Sequence, residues 1–346
     1  MIVMRRTLIA AAVSVAGLLA AGCGGTGAAA GDDDAVVTVY SVDGLGDWYA
    51  KRFADFRKQT GITVRLVESG SGEVVTRMQK ERSRPQADVA VTLPPFIQQA
   101  GREGLLEAYR PQGSEQVAAK DAGGAYTALA DNYLNFIYNP DHAKPVPKTF
   151  DDLLDPRFKG KLQYSTPGQA GDGTAMLILL QHVYGKDKAL DYVRRLEANN
   201  VGPSSSTGKL QPKVSKGELH VANGDVQMNL TSIANDGSRF GIFFPAGPSG
   251  KRSTVRIPYF MGLARNAPHA DNARRLMDHL LSREAQATLM PETYGLPARG
   301  DVRPQDANSV KVRALLAGVE VVSPDWDRVL AELDGDLAAY TKAIGG

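Results

Sequence analysis

Short apolar runs alternate with amphipathic stretches along the chain from residue 36 onward. Three of these runs are rich in β-branched residues and are typical of buried strands: residues 36–40, 62–67 and 88–92. Between the first two, Tyr49, Phe53 and Phe56 recur at the spacing of one helical face, and Gly61 is a typical helix end. This alternation predicts the α/β class, with a parallel, doubly wound sheet.

A second α/β unit begins near residue 131, where the alternation resumes. The pattern predicts strands at residues 134–138, 162–165, 226–230, 240–244 and 257–264, and helices at residues 174–184 and 272–281. The apolar run at 257–264 is expected to return the chain to the first unit. We therefore expect two hinged lobes with a cleft between them. Their expected bounds are residues 36–130 completed by about 259–290 for lobe 1, and residues 131–258 with about 291–346 for lobe 2.

The first 22 residues have the layout of a bacterial export signal. Arg5 and Arg6 precede an apolar run at residues 8–21, which is too short for a membrane span. The run ends in LAAGC at residues 19–23, which is similar to a lipobox, although Ala20 stands where leucine is usual. We expect residues 1–22 to be removed, Cys23 to carry a lipid and residues 23–35 to form a flexible tether. An ordinary cleaved signal is the alternative.

Composition and charge narrow the classes of partner. The 346 residues are 43% apolar and 23% charged, which is typical of globular proteins. The net charge is +2, and removal of Arg5 and Arg6 brings the expected mature chain to zero. A neutral chain has no overall field for polyanions, so we expect no nucleic-acid partner and only a lipid anchor in the membrane. Cys23 is the only cysteine, which excludes disulfides and a cysteine-based metal site.

Sequence signatures of catalysis are missing. None of the five histidines has the spacing of a metal-ligand pair, and the chain contains no nucleophile elbow, phosphate-binding P-loop or kinase motif set. A complete dinucleotide-binding glycine motif is also missing. We therefore expect no enzyme activity, no cofactor and no metal.

Three small, hydroxyl-rich loops follow predicted strands and precede predicted helices or polar segments. They are SGSG at residues 69–72, DGT at 172–174 and SSSTG at 204–208. A helix start exposes unpaired N–H groups and the positive end of the helix dipole, so it can hold an oxyanion without a lysine. The alternative for each loop alone is ordinary helix capping. Three such loops at one cleft favour an oxyanion site.

Aromatic and acidic residues close to these loops can hold a small ammonium group. An aromatic face and a carboxylate bind such a cation by a cation–π contact and a charge-assisted hydrogen bond. The alternative is that the aromatic residues belong to the core and the acids to helix ends. The candidates are Tyr40, Trp48, Tyr126 and Tyr259, with Asp43, Glu68, Glu73, Asp172 and Asp225.

The order of these motifs resembles the 2-aminoethylphosphonate-binding proteins of ABC importers. The resemblance covers nearly the whole expected mature chain and is carried by VYSVDGL at residues 39–45, ESGSGEVV at 68–75, QADV at 86–89, TLPPFIQQ at 92–99, residues 133–139, TFDDLLDPRFKG at 149–160 and LSREAQ at 281–286. More distant relatives bind ferric iron or polyamines. Iron binders carry two adjacent tyrosines where residues 224–230 read GDVQMNL, so the main iron ligands are missing here.

The resemblance implies the two-lobed periplasmic-binding-protein fold and the capture of 2-aminoethylphosphonate for delivery to a membrane permease. The phosphonate is expected at Ser71 and Gly72 of one lobe and at Gly173, Thr174 and Thr207 of the other. The full expected set is Tyr40, Ser41, Asp43, Trp48, Ser71, Gly72, Glu73, Thr92, Asp172, Gly173, Thr174, Ser206, Thr207, Asn229 and Tyr259, with Asp43 preferred for the amine. We expect a monomer. The alternatives are another small oxyanion, a polyamine or ferric iron as ligand, an exported phosphonate or phosphate hydrolase, or a signalling or adhesion module.

Overall fold

The computed structural model describes residues 35–346, which form thirteen strands and eleven helices. The strands are β1 (Val36–Val42), β2 (Thr63–Ser69), β3 (Val89–Thr92), β4 (Leu106–Glu107), β5 (Thr127–Asp131), β6 (Leu134–Tyr138), β7 (Leu162–Gln163), β8 (Val221–Asp225), β9 (Gly241–Phe243), β10 (Arg252–Val255), β11 (Tyr259–Ala264), β12 (Leu296–Pro297) and β13 (Val319–Val322). The helices are α1 (Gly46–Thr60), α2 (Ser71–Lys80), α3 (Phe96–Arg102), α4 (Gly171–Tyr184), α5 (Lys186–Glu197), α6 (Gln211–Ser215), α7 (Val226–Asn235), α8 (Ala270–Leu281), α9 (Arg283–Thr293), α10 (Ala307–Leu316) and α11 (Trp326–Ala343). In this part of the chain, no helix is long and apolar enough to cross a membrane.

The larger sheet has the order β12-β5-β11-β3-β1-β2, with β4 paired to β11. Strands β2 and β3 run parallel to β1, whereas β11 is antiparallel to both β3 and β5. The expectation of a wholly parallel sheet is therefore wrong. The reason is that β11 returns from the other sheet at the end where β1 and β3 finish, so it must run in the opposite direction.

The smaller sheet has the order β7-β8-β6-β9, with β6 antiparallel to β8 and β9. The strand predicted at residues 226–230 is helix α7, and the true strand is β8 just before it. Asp225 decides this boundary, because its side chain accepts a hydrogen bond from the Met228 backbone N–H at 2.7 Å and caps the helix. Val226 and Leu230 then lie one helical turn apart in a shared apolar cluster.

Strands β10 and β13 form a third, two-stranded parallel sheet. The seven-stranded and the four-stranded sheet, called here the larger and the smaller, each have their own apolar core. We call the larger sheet and the helices packed on it the first lobe, and the smaller sheet with its helices the second lobe. In the second lobe the first ten residues of α4 are all buried. Gly173 is essential there, because a Cβ atom at this position would lie 2.1 Å from the Ser165 carbonyl oxygen. The C-terminal helix α11 packs on α5, and its Tyr340 hydroxyl lies 3.1 Å from that of Tyr164.

Three segments of chain pass between the lobes: residues 132–133, residues 256–258 and the segment that follows β12. The first two lie side by side, since the Ile257 N–H donates to the Asn132 carbonyl at 2.9 Å. Beside them, the Arg256 guanidinium binds both carboxylate oxygens of Asp131 at 2.9 and 2.5 Å. Strand β12 pairs with β5 at the edge of the larger sheet.

Candidate functional site

A narrow cleft lies where the carboxyl ends of β1 and β2 meet the first turns of α4 and α7. The free volume of the cleft is about 20 Å³. Since one water needs roughly 10–15 Å³, the cleft has room for about one water molecule. We define the cleft by its lining residues, which are Val42, Asp43, Ser69, Gly70, Ser71, Leu93, Ala170, Gly171, Asp172, Ser206, Thr207, Asp225, Met228 and Tyr259. They come from both lobes.

The two lobes contact each other directly across the cleft. The Ser206 hydroxyl donates to the Asp43 carboxylate, and the Gly171 N–H donates to the Ser71 hydroxyl at 3.2 Å. Gly70 lies so close to the second lobe that a Cβ atom on it would be 2.2 Å from the Ser205 carbonyl oxygen. The conformation is therefore closed. A ligand larger than a water molecule needs the lobes to separate before it can enter.

Three helices begin at the cleft. Helix α2 starts at Ser71, α4 at Gly171 and α7 at Val226. Each helix start carries the positive end of its dipole and N–H groups without intrahelical partners. The lining residues contain no lysine and no arginine. The first N–H groups of α7 are already bonded, since Val226 donates to the Tyr133 carbonyl and Met228 to the Asp225 carboxylate. An anion in the cleft would therefore be held by the starts of α2 and α4 and by hydroxyl groups.

Three carboxylates also line the cleft: Asp43, Asp172 and Asp225. Asp172 is 4% exposed and Asp225 1%, and Oδ1 of Asp172 has no hydrogen-bond partner. Burial raises the pKa of Asp172 well above its ordinary value, and repulsion from Asp225 and Asp43 adds to this rise. Burial also raises the pKa of Asp225 to about 6. The site therefore combines positive helix ends with carboxylates that have no lysine or arginine partner among the lining residues.

Tyr259 lines the cleft, and Gln227 lies behind it as its hydrogen-bond partner. The Tyr259 hydroxyl donates to Oε1 of Gln227 at 3.0 Å, and Gln227 Nε2 donates to the Gly44 carbonyl at 2.9 Å and to the Thr293 carbonyl at 3.1 Å. Burial raises the pKa of Tyr259 well above its usual range, so its hydroxyl remains a neutral hydrogen-bond donor.

The structure brings six of the predicted ligand residues to the cleft and places the other nine elsewhere. The six are Asp43, Ser71, Asp172, Ser206, Thr207 and Tyr259. The nine that do not line it are Tyr40, Ser41, Trp48, Gly72, Glu73, Thr92, Gly173, Thr174 and Asn229. Four of the nine form hydrogen bonds through their side chains with residues that line it, and these are Ser41, Glu73, Thr92 and Thr174.

Tyr40, Trp48 and Glu73 are placed away from the cleft for separate reasons. The Tyr40 hydroxyl donates to Glu81 at 2.9 Å, on the side of β1 that faces α2. The indole N–H of Trp48 is buried and donates to the Thr288 hydroxyl at 2.8 Å, so this ring has no free face for an amine. Glu73 is exposed and accepts from the Gly70 N–H at 3.1 Å as part of the cap of α2.

The hydroxyl and amide residues among the nine hold the cleft loops in place. Thr174 accepts from the Gly168 N–H at 2.9 Å and donates to the Ala170 carbonyl, which shapes the loop before α4. The Thr92 hydroxyl donates to the Ser71 carbonyl at 3.2 Å. Three further bonds serve the same purpose. The Ser41 hydroxyl donates to the Val42 carbonyl, Asn229 donates to Asn135, and the Gly72 N–H donates to the Gln169 carbonyl across the lobes.

Sequence reasoning missed Gln227 and the close approach of Gly70 and Gly171. Gln227 was hidden because residues 226–230 were predicted as a strand. The signal that could have found it is Asp225, a strong N-cap residue directly after a strand. Among residues 35–346, no group of three or more His, Cys, Asp or Glu side chains has the geometry to hold a metal ion.

Comparison with known proteins assigns the class. The family model of bacterial extracellular solute-binding proteins matches residues 41–287. A protein of Salmonella typhimurium named "Putative 2-aminoethylphosphonate-binding periplasmic protein" is 48% identical over 314 residues, which cover 89% of this chain and 92% of the relative. The chain therefore belongs to the bacterial extracellular solute-binding proteins, and the family resemblance seen in its sequence is confirmed. The family and this relative place it outside the cytoplasm.

Solved structures support the fold. The periplasmic binding protein P5PA matches with a TM-score of 0.78 and 23% identity, over 89% of this chain and 99% of that one. The periplasmic binding protein AfuA of Actinobacillus pleuropneumoniae, solved with exogenous fructose-6-phosphate, matches with a TM-score of 0.74 and 21% identity, over 89% and 98% of the two chains. The two-lobed binding-protein fold predicted from the sequence is confirmed.

Proposed function

We propose that this chain captures 2-aminoethylphosphonate between its lobes and delivers it to the permease of an ABC importer. The observation that carries the proposal is the combination at one cleft of the starts of α2 and α4 with three carboxylates and no lysine or arginine. A zwitterion with an anionic head and an ammonium tail fits such a site. The name of the Salmonella relative supports the same ligand.

The phosphonate is proposed to lie against the first turns of α2 and α4. Ser71 and the backbone of residues 70–71 would contact it from the first lobe, and Ser206 and Thr207 from the second. Thr174 and Gly173 are proposed to act through the loop and helix start that they shape. Because the donors come from both lobes, only the closed form satisfies the anion fully.

The lobes are proposed to open about the three connecting segments. Lobe 1 would comprise residues 36–130 and about 259–297, and lobe 2 residues 131–258 and the chain after β12. The contacts from Asp43 to Ser206 and from Ser71 to Gly171 would then break to admit the ligand.

The export signal, Cys23 and almost all of the expected tether lie outside the described residues. We propose that residues 1–22 are cleaved, that Cys23 is lipidated and that the lobes are held at the outer face of the membrane as a monomer. This arrangement would keep the captured ligand close to its permease.

Calorimetric titration tests the ligand. We expect 2-aminoethylphosphonate to bind tightest, with ethylphosphonate and inorganic phosphate weaker by about 30-fold or more, the effect of an unpaired buried charge. Putrescine and ferric citrate test the polyamine and iron alternatives, and phosphate release from 2-aminoethylphosphonate tests the hydrolase alternative. Equal affinity for phosphate and 2-aminoethylphosphonate, or tighter binding of putrescine or iron, would contradict the proposal.

A further inference from the structure

We propose that Asp172 is the residue that recognises the ammonium group, and that this group displaces the proton of the Asp172 carboxyl, which is buried with Asp225 at the cleft as a carboxyl pair. The inference rests on the proposed function and adds two things to it. It identifies which of Asp43, Asp172 and Asp225 binds the amine, and it predicts that ligand binding releases a proton.

The hydrogen bonds of the three acids distinguish them. Asp43 already accepts a hydrogen bond from Ser206 across the cleft. Asp225 accepts from the Met228 N–H at 2.7 Å and caps α7. Oδ1 of Asp172 is buried at the cleft and has no partner. A buried carboxylate oxygen without a partner is strongly unfavourable, and a charged donor from the ligand would satisfy it.

The groups that face Asp172 come from three other elements. Asp43 lies in the loop after β1, Asp225 at the end of β8 and Tyr259 at the start of β11. Burial is the largest cause that raises the pKa of Asp172, followed by repulsion from Asp225; Asp43 raises it further, and a hydrogen bond from Thr207 lowers it. No cation among the lining residues opposes these effects. The ligand-free pair therefore holds a proton to a higher pH than an exposed aspartate does.

The exchange balances without any covalent step. The carboxyl group of Asp172 loses its proton to water, and the resulting carboxylate accepts an N–H from the ligand's ammonium group, which keeps its own charge. Below the raised pKa of the ligand-free acid, binding releases protons and affinity rises with pH. Above that pKa the carboxylate is already ionised, so the affinity no longer changes through this group.

The experiment is calorimetric titration of the full mature chain between pH 5.5 and 8, in two buffers of different ionisation enthalpy. The ligands are 2-aminoethylphosphonate and ethylphosphonate, which has the same anionic head without the amine. For the wild-type chain at the acidic end, we expect release of up to about one proton per 2-aminoethylphosphonate beyond that seen with ethylphosphonate. This measurement requires no substitution, so it stands even if a variant folds poorly.

Asp172→Asn and Asp43→Asn are the matched variants. Asp172→Asn should lower affinity for 2-aminoethylphosphonate by about 30-fold or more, leave that for ethylphosphonate nearly unchanged and abolish the extra proton release. Asp43→Asn should weaken the two ligands by a similar factor, because it removes the carboxylate that meets Ser206 across the cleft, and so keep the discrimination between them. It should shift the proton release to lower pH without abolishing it, since Asp43 adds to the rise in the pKa of Asp172.

Three results separate the failures. If Asp43→Asn rather than Asp172→Asn removes the discrimination, or if Asp172→Asn weakens both ligands equally, the assignment of Asp172 is overturned. If the wild-type chain discriminates but releases no extra proton, the exchange with the carboxyl pair is overturned. If the wild-type chain binds neither phosphonate, the proposed function itself fails.

Discussion

The Tyr259 hydroxyl donates a hydrogen bond to Oε1 of Gln227 at 3.0 Å, which ties the first residue of β11 to the first turn of α7. Both side chains are buried. The same Gln227 side chain donates to the carbonyls of Gly44 and Thr293. One amide of the second lobe is thus bonded to three separate elements of the first, and all three bonds belong to the closed conformation.

Gln227→Ala should weaken ligand binding by about 1–3 kcal/mol, since it removes several interlobe hydrogen bonds worth about 0.5–1.5 kcal/mol each. It should also raise the radius of gyration in solution, because the open form gains population. Calorimetry with 2-aminoethylphosphonate and small-angle X-ray scattering measure these two effects.

Gln211→Ala is the matched control for Gln227→Ala. Gln211 is also buried, but its amide donates to Asn229 within the second lobe at 2.6 Å. This control should alter stability without opening the molecule. A Gln227 variant that stays as compact as the wild type, with equal affinity, would show that the amide does not hold the lobes together.

Gly70→Ala should hinder closure by steric contact. The backbone at Gly70, with φ −67° and ψ 155°, is open to alanine, but the new Cβ atom would meet the Ser205 carbonyl of the opposite lobe at 2.2 Å. We expect affinity to fall by about 1–3 kcal/mol, the range for overpacking, with little loss of thermal stability in the ligand-free chain.

Gly335→Ala is the control for this steric effect, because a Cβ atom at this exposed helical position meets nothing within 4 Å. Its affinity should equal that of the wild type. Unchanged binding by Gly70→Ala would mean that the ligand-bound lobes are further apart than in the present conformation.

Trp48→Phe separates a core role from a ligand role. Because the indole N–H is buried against the Thr288 hydroxyl, we expect a loss of about 1–3 kcal/mol in the free energy of unfolding. The affinity for 2-aminoethylphosphonate should stay within about twofold of the wild type. Chemical denaturation and calorimetry measure the two quantities, and a large loss of affinity at unchanged stability would restore Trp48 to the cleft.

The sequence pattern predicted β1, β2, β3, β11 and α1 of the first lobe, because their apolar spacing is distinct. It did not predict β4, β5 or β12. Tyr49, Phe53 and Phe56 do lie on one helix, α1, and the run at 62–67 falls in β2. The positions of Asp43 and Ser71 at the cleft followed from their place just after strands. Which side of β1 the Tyr40 ring faces, by contrast, depends on the packing of α2.

The second lobe was harder to predict. Residues 226–230 form a short apolar run, and such a run is compatible with either a strand or a buried helix. The cap formed by Asp225 and the shared contacts of Val226 and Leu230 select the helix. The Asp225 cap is a local signal, whereas the packing of Val226 and Leu230 in one cluster with Phe244, Met290 and Val312 is long-range and has none. The role of Gln227 was missed for the same reason, since it depends on residues about 30 to 180 positions away.

Cys23→Ala tests the proposed anchor. The variant should fold and bind ligand as the wild type does, but move from the membrane fraction to the soluble fraction of the cells, because the acyl chains supply the membrane affinity. Fractionation followed by immunoblotting measures this shift. An unchanged distribution between the two fractions would refute the lipid anchor and favour an ordinary cleaved signal.

Asp225→Asn should change how stability depends on pH. Burial raises the pKa of Asp225 from 3.8 to about 6 in the folded chain, so between these values the folded state binds more protons than the unfolded state. The free energy of unfolding of the wild type therefore falls as pH rises through this window. Asparagine cannot ionise and still caps α7, so the variant should gain about 1–3 kcal/mol relative to the wild type between pH 4 and pH 7. Asp187→Asn, at an exposed position, is the control for the change from aspartate to asparagine. Urea denaturation of the ligand-free proteins at several pH values measures both series. The difference in the free energy of unfolding between wild type and Asp225→Asn could instead stay constant from pH 4 to pH 7, which would mean that Asp225 is ionised throughout this range without ligand. A group other than the ligand's amine would then stabilise the acids of the cleft.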